Sequence, residues 1–195
     1  MTSRKKEKYP LILDAALKVF AEYGFHGSQV SKIAKEAGVA EGTIYLYFKN
    51  KEDILASLLH GLLSDLVETN KKTINETDSA DEILRKICEN HLLGLEEDEK
   101  VNVASVFQNE LRQKSPELRK AISLAVKPYF ELIEQVLQKG KDEGTFRSDL
   151  DVKLTRRLLF GALDEVVALW LYSGRTYSFS SQLDQIVTFF LRGLK

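Results

Sequence analysis

Cysteine and proline are scarce in this sequence, which has one cysteine and three prolines among 195 residues. The single cysteine, Cys88, excludes an intrachain disulfide and a cysteine-rich zinc site, as expected for a protein of the reducing cytosol. No uncharged stretch reaches the about 18 residues that a membrane-spanning helix needs. The first 25 residues also lack the apolar core of a signal peptide, so we expect a cytoplasmic protein.

Net charge is also small, at −1, but the two signs are unevenly distributed along the chain. Residues 1–51 contain nine lysines and arginines and five acidic residues, a balance of +4. The rest of the chain has 19 basic and 24 acidic residues, a balance of −5. A basic N-terminal segment followed by an acidic body suggests that an anionic partner binds the N-terminal segment.

Apolar residues recur at the 3.6-residue period of an α-helix through almost the whole chain, and no segment shows the alternation of a β-strand. Gly24 and Gly38 are expected to end the first two helices. The pattern predicts nine helices, at about 9–23, 28–37, 41–48, 51 to the sixties, 80–95, 99–113, 117–140, 151–173 and 180–194. We therefore predict an all-α protein with two domains, residues 1–52 and residues 53–195.

The two short helices at about 29–48 have the pattern of a helix-turn-helix. Ile33, Ala34 and Ile44 fall on inward faces, and Gly38 supplies the turn between the helices. In a helix-turn-helix the second helix enters the major groove of DNA. The spacing alone also fits a helical hairpin that binds nothing.

Exposed hydroxyls, aromatic rings and lysines on the second helix favour DNA over a hairpin that only packs. The residues expected to face the groove or to lie just beyond it are Gly42, Thr43, Tyr45, Tyr47, Lys49 and Lys51. We assign Thr43 and Tyr45 to base contacts. Phosphate contacts are assigned to Ser28, Tyr47 and Lys51, and the N-terminus of the helix that begins near Lys51 is a further place for a phosphate.

The last two helices are apolar on more than one face, so each must bury two faces. The second face is most simply covered by another copy of the chain, with two helices from each copy forming a four-helix interface. The interface residues that we predict are Leu163, Val167, Trp170, Ile186, Phe189 and Phe190. A monomer with these helices at the centre of its core is the alternative.

The inward faces of the four helices between 80 and 173 fit either a plain core or a ligand cavity. They include Phe107, Tyr129 and Phe130. Basic residues near the Ser115-Pro116 corner fit either a solvated surface or the binding site of a polyanionic head group on an amphiphile. Arg112 is our first candidate for the head group, followed by Arg119 and Lys120.

No pattern in the sequence indicates catalysis. His26, His60 and His91 have no metal-ligand spacing, and a glycine-rich phosphate loop and a nucleophile elbow are both missing. We therefore predict neither an enzyme nor a bound metal or cofactor. Cys88 fits a small core residue better than a redox sensor.

The N-terminal segment resembles the DNA-binding domain of the TetR family of bacterial repressors. The matching elements are Ala15-Ala16, Phe20, Gly24-Phe25, Ser28, Val30, Ile33-Ala34, Gly38-Val39, Gly42-Thr43-Ile44-Tyr45, Tyr47-Phe48 and Lys51. Leu46 stands where many members have another aromatic residue or a histidine. The resemblance implies a homodimer that binds a palindromic operator, dimerises through its last two long helices and binds a small effector in its C-terminal domain.

Other segments are similar to one subgroup of that family, the FadR-type regulators. The matching segments are Gln29–Ala34, Glu110–Gln113, Glu117–Arg119, Phe160-Gly161 and Asp164-Glu165. This resemblance implies a repressor of fatty-acid degradation genes that long-chain acyl-CoA releases from DNA. The alternatives are a TetR-family regulator of another hydrophobic compound, a helical protein-interaction module and, least favoured, an enzyme.

Overall fold

The computed structural model describes residues 3–96, 98–110 and 116–195 of the chain. Within these ranges the side chains of 3–6, 98–99, 107, 109–110, 117–118 and 121 lie outside the description. The described ranges contain nine α-helices and no strand, which confirms the prediction of an all-α protein. The helices are α1 Ser3–Gly27, α2 Val30–Glu36, α3 Glu41–Ile44, α4 Lys51–Thr73, α5 Ala80–Leu93, α6 Asp98–Glu110, α7 Pro116–Asp142, α8 Val152–Tyr172 and α9 Leu183–Leu194.

Three helices differ from their predicted bounds near the N-terminus, and α2 spans Val30–Glu36 instead of 28–37. α1 continues to Gly27, but it is kinked at Gly24, whose φ of 67° lies in the left-handed region that glycine adopts without strain. α3 ends at Ile44 instead of residue 48, and the chain continues as a tight turn in which the N–H groups of Tyr47 and Phe48 both donate to the Ile44 carbonyl. Three of the four residues 45–48 are aromatic and have modest helix propensity, consistent with an early end.

The chain divides into two compact units. Unit 1 comprises Met1–Leu62 and Val101–Val126. Its core is a cluster of aliphatic and aromatic side chains from α1 to α4 joined by Val106, with Phe20, Ile33, Ile44, Phe48 and Ile54 almost fully buried. Burial of Ile33 and Ile44 fixes the relative placement of α2 and α3, as a helix-turn-helix requires.

Unit 2 comprises Leu63–Lys100 and Lys127–Lys195, and α5 packs there against α8 and α9. Ser79 and Glu82 form a capping box that begins α5. The domain boundary between residues 52 and 53 stays a prediction. The buried residues of unit 2 follow the helical period: Leu84, Ile87 and Cys88 on α5, Tyr129, Ile133 and Leu137 on α7, and Leu159, Leu163, Val167 and Trp170 on α8.

We predict opposite effects on stability for two glycine-to-alanine substitutions within helices. A Cβ at Gly140 of α7 would overlap Cδ2 of the buried Phe146 ring, so Gly140→Ala forces the ring to move. We expect a loss of about 1–3 kcal/mol, measured as a lower melting temperature. Gly61→Ala on α4 is the matched control, because its Cβ meets nothing within 4 Å, and it is expected to stabilise by up to about 1 kcal/mol. Equal melting temperatures for the two variants would contradict this packing.

Candidate functional site

The corner between α1 and α2 is held by the hydroxyl of Ser28. This side chain is only 3% exposed, and its Oγ donates to the carbonyls of Gly24 at 2.6 Å and Val19 at 3.1 Å. Gly24 lies in the last turn of α1, where a helix leaves carbonyls without an intrahelical partner, and Val19 lies further back in the same helix. The predicted phosphate contact of the Ser28 hydroxyl is therefore corrected: its proton is shared between two buried acceptors.

The side chain of Lys51, the first residue of α4, also binds this corner. Its Nζ donates to the carbonyls of Phe25 at 2.9 Å, Ser28 at 3.3 Å and His26 at 3.5 Å, and lies 4.6 Å from the centre of the Phe25 ring. These hydrogen bonds indicate that Lys51 holds the α1–α2 corner. Its side chain is half-buried, and its predicted phosphate contact stays a prediction.

The N-terminus of α4 carries its own side-chain cap. Asn50 Oδ1 accepts from the Asp53 backbone N–H at 2.9 Å, and Asp53 Oδ2 accepts from the Lys49 backbone N–H at 3.0 Å. A carboxylate at this position takes the place that an anion would occupy and repels a second negative charge. The expectation that a phosphate lies at this N-terminus is therefore not supported by the geometry.

The remaining predicted DNA contacts lie on or just after α3. Tyr45 is 53% exposed, Gly42 is exposed with open space around its Cα, and Thr43 is half-buried. Lys49 is exposed, whereas Tyr47 is half-buried and its ring lies 6.4 Å from that of Tyr9. Ile44 anchors this segment in the core and so fixes Gly42 and Thr43 on α3 and Tyr45 just after it. A segment that presents a hydroxyl, an aromatic side chain and a nearby lysine can contact base edges and phosphates in a DNA groove.

The predicted ligand residues lie in different parts of the chain. Arg112 and the side chain of Phe107 lie outside the described residues. Arg119 and Lys120 are exposed near the start of α7, in unit 1. Tyr129 and Phe130 belong to unit 2, where Tyr129 is fully buried and Phe130 is half-buried.

A buried polar pair in unit 2 was not predicted from the sequence. His91 Nδ1 lies 2.9 Å from the Tyr129 hydroxyl, and the two rings are stacked with their centres 5.6 Å apart. Burial lowers the pKa of His91 to about 4 and raises the pKa of Tyr129 well above its usual value. The available signal was that His91 continues the apolar stripe of Leu84 and Ile87 on α5, since it lies four residues after Ile87.

Aromatic contacts extend from this pair to a partly buried arginine. Phe160 presents an edge to both His91 and Tyr129, and its ring centre lies 4.9 Å from that of Phe130. The Arg156 guanidinium lies 4.1 Å from the centre of the Phe130 ring and donates to Glu134 at 3.0 Å. This cluster of unit 2 is thus aromatic, with one buried polar pair at one end and the Arg156–Glu134 ion pair at the other.

The structure corrects three of the predicted dimer-interface residues. Leu163, Val167 and Trp170 are almost fully buried within the chain itself, and Trp170 Nε1 donates to the Tyr177 carbonyl at 2.7 Å. Ile186 and Phe190 are half-buried, and Phe189 is 73% exposed. The second apolar face of α8 is rotated from the predicted one and consists of Leu154, Leu158, Leu169 and Tyr172, all exposed.

Exposed residues of α8 and α9, among them Leu158 and Phe189, border a groove of about 930 Å³. Its apolar lining includes Leu158, Ala162, Phe189 and Phe190, and Arg147 and Arg192 contribute charge. In the part of the chain that the structure describes, there is no cluster of metal-ligating side chains and no helix able to cross a membrane. Burial raises the pKa of Cys88 to about 12, so the thiol is not activated.

Comparison with known proteins gives matches over nearly the whole chain. The tetR family of bacterial regulatory proteins matches residues 12–58, and the C-terminal region of YsiA-like protein matches residues 60–193. The fatty acid metabolism regulator protein of Bacillus subtilis is 41% identical over 191 residues, which cover 98% of this chain and 97% of the relative.

Solved structures of FadR proteins have the same fold. The transcriptional regulator FadR from Bacillus subtilis, in complex with stearoyl-CoA, has a TM-score of 0.86 at 41% identity, over 96% of this chain and 100% of that one. The fatty acid degradation regulator FadR from Bacillus halodurans has a TM-score of 0.85 at 42% identity, over 96% of both chains.

The N-terminal match covers the helix-turn-helix, and the C-terminal match covers most of the remaining helices. The predicted family is therefore confirmed, together with the prediction of a transcriptional regulator instead of an enzyme. The chain belongs to the TetR family of bacterial regulatory proteins.

Proposed function

We propose that this protein is a cytoplasmic, homodimeric repressor that binds a palindromic operator at fatty-acid degradation genes and is released by long-chain acyl-CoA. Residues 1–52 would bind DNA, and residues 53–195 would bind the effector and the second subunit. The observation that carries the proposal is 41% identity over 98% of the chain to a fatty acid metabolism regulator. The stearoyl-CoA in a FadR structure of the same fold supports the choice of effector.

In this proposal the exposed side of α3 reads the operator. Thr43 and Tyr45 contact base edges, and the missing side chain of Gly42 lets the backbone approach the groove. Tyr47 and Lys49 bind phosphates. Ser28 and Lys51 act indirectly, because their hydrogen bonds to the α1–α2 corner position the helix-turn-helix.

Substitutions of Lys49 and Lys51 distinguish the proposed phosphate contact of Lys49 from the proposed positioning role of Lys51. Lys49→Ala is expected to weaken binding to all DNA sequences and to reduce the magnitude of the slope of log affinity against log salt by about 1.8, since each of the two subunits loses one phosphate contact. Lys51→Ala is expected to lower the melting temperature and leave that slope unchanged, because the Phe25 and Ser28 carbonyls lose their donor. Binding measured across a salt series, with melting curves, checks both. A reduced slope at unchanged stability for Lys51→Ala would support its predicted phosphate contact.

The exposed apolar face of α8 and α9 is the proposed dimer interface. Leu158 is 61% exposed and Phe189 is 73% exposed, and both border the groove described above. Large apolar side chains clustered in this way mark interaction surfaces, and two helices from each copy would bury them in a four-helix arrangement. Dimerisation places two recognition helices on successive turns of DNA, which a palindromic operator requires.

A charged side chain introduced on the exposed apolar face of α8 and α9 should prevent dimerisation. We expect Leu158→Glu or Phe189→Glu to give folded monomers with weak operator binding, because each monomer reads only one half-site. Sedimentation velocity and circular dichroism measure the two properties. Leu124→Glu is the matched control, since Leu124 is 63% exposed on α7, and it should stay dimeric. Intact dimers for both interface variants would contradict the assignment.

Release by acyl-CoA requires that the ligand bind the non-DNA form better than the DNA form. α4, α6 and α7 each have residues in both compact units, so a continuous helix such as α4 can carry a small displacement to the DNA-binding residues. A loss of operator affinity of about 100-fold needs only about 2.7 kcal/mol of coupling. No larger rearrangement of the fold has to be invoked.

Titration of the protein–operator complex with stearoyl-CoA tests the effector. We expect the wild-type complex to dissociate, and Arg112→Ala to leave repression intact while raising the acyl-CoA concentration needed, because the anionic head group loses a partner. Lys153→Ala, which removes an exposed cation from α8, is the control and should respond like the wild type. If long-chain acyl-CoA never dissociates the wild-type complex, the effector is another hydrophobic compound. If no genomic fragment is bound at moderate salt, the protein-interaction alternative is favoured.

A further inference from the structure

Leu46 has the largest exposed fraction of the large hydrophobic residues that the structure describes in unit 1, at 68%. A single exposed leucine is ordinary in a soluble protein, so its exposure alone indicates no partner. Its place in the chain is more informative, because it directly follows Tyr45, which is 53% exposed. Leu46 thus lies within the segment that is proposed to read DNA.

Leu46 continues the exposed side of α3. Gly42, Tyr45 and Leu46 are exposed at positions i, i+3 and i+4, and residues with this spacing lie on one face of a helical turn. The turn persists past the end of α3, because the Leu46 N–H donates to the Thr43 carbonyl at 3.2 Å. Leu46 therefore shares a surface with residues that are proposed to contact the operator.

Buried side chains on both sides of Leu46 fix its backbone. Ile44 is 1% exposed and Phe48 is 2% exposed, and both belong to the core of unit 1. The Phe48 N–H donates to the Ile44 carbonyl at 3.0 Å, so the backbone between these two residues forms a closed turn. Because this backbone is already ordered, binding has to fix only the rotamer of the Leu46 side chain.

The chemistry of leucine limits what Leu46 can contact in DNA. Its side chain has neither a donor nor an acceptor, so it forms no hydrogen bond with a phosphate or with the polar groups of a base edge. Packing against those polar groups would remove their water without replacing it, which costs free energy. The 5-methyl group of thymine is the apolar group that base edges present in the major groove. Of the four bases, thymine is the one that leucine complements.

We propose that Leu46 packs against the 5-methyl group of a thymine in each half-site of the operator and determines specificity at that base pair. This inference rests on the proposed function and adds one apolar base contact to it. Removal of a methyl group from water corresponds to about fourfold in affinity for one half-site and about 15-fold for the two half-sites of a dimer.

Deoxyuridine in place of thymidine tests the contact, because uracil pairs in the same way and lacks only the methyl group. The probe is a genomic fragment that the wild-type protein retains in a gel shift, narrowed by footprinting and synthesised with each thymine replaced in turn in both half-sites. We expect one symmetric pair of replacements to weaken wild-type binding about 15-fold and to leave the affinity of Leu46→Ala unchanged. Leu124→Ala is the matched control, since Leu124 is 63% exposed on α7, and it should keep the wild-type pattern.

Thr43→Ser distinguishes Leu46 from a neighbour that also has a methyl group. This variant should stay sensitive to the same pair of replacements, and loss of that sensitivity would assign the contact to Thr43 and overturn the proposal. An equal loss of affinity of Leu46→Ala for every duplex would overturn it too, because that result indicates packing on sugar or phosphate groups. The proposed function would stand in both cases. Wild-type protein that retains no genomic fragment would overturn the proposed function and this inference together.

A second readout adds the methyl group instead of removing it. With a C·G pair in place of the identified T·A pair, 5-methylcytosine should bind wild-type protein about fourfold more tightly per half-site than cytosine does. Leu46→Ala should not distinguish the two duplexes. Equal affinities of the wild type for both duplexes would overturn the proposal.

Discussion

The DNA-reading segment depends on how the backbone carbonyls at the end of α1 are satisfied. A helix ends with carbonyls that have no intrahelical partner, and α1 is kinked near its end at Gly24. Ser28 Oγ donates to the Gly24 carbonyl at this end and to the Val19 carbonyl further back in α1. Lys51 Nζ, at the start of α4, donates to the carbonyls of Phe25, His26 and Ser28. Because Lys51 is also the first residue of α4, the same ammonium fixes both the helix-turn-helix and the origin of the helix that leads into unit 2. A displacement of the start of α4 would therefore strain these hydrogen bonds.

The sequence was sufficient to predict the helix-turn-helix but not the roles of all its polar residues. The spacing of Ile33, Gly38 and Ile44 predicts two helices that pack through the isoleucines and are joined by a turn at the glycine. The structure agrees, because Gly38 has a φ of 64° and both isoleucines are buried. The family resemblance then supplied the function. Ser28 and Lys51 were assigned to phosphates because residue type shows that a group donates, but not whether its acceptor is a phosphate or a carbonyl. That distinction depends on burial and on contacts between residues 23 to 26 positions apart for Lys51, which no local pattern contains.

The sequence did not predict which apolar face of α8 is buried within the chain and which is exposed, and the physical reason is different. The composition of α8 correctly indicates two apolar faces, since Leu163 is buried while Leu158 and Leu169 are exposed. A helix that is apolar nearly all round gives no polar face from which its rotation could be predicted. The rotation is set instead by packing of α8 against α5 within unit 2. Long-range packing of this kind also hides the pairing of His91 with Tyr129, which are 38 residues apart.

The polar pair in unit 2 has a consequence for stability. Burial lowers the pKa of His91 to about 4, so the imidazole is neutral at neutral pH and shares one proton with the Tyr129 hydroxyl. Removal of one partner would leave the other buried without this hydrogen bond, at a cost of about 1–3 kcal/mol, whereas replacement of both by apolar residues of similar shape would cost little. The two residues therefore act as a unit that joins α5 to α7. Because the folded-state pKa lies below the usual value of 6.5, the contribution of the neutral histidine is complete above that pH and is lost as the pH falls toward 4.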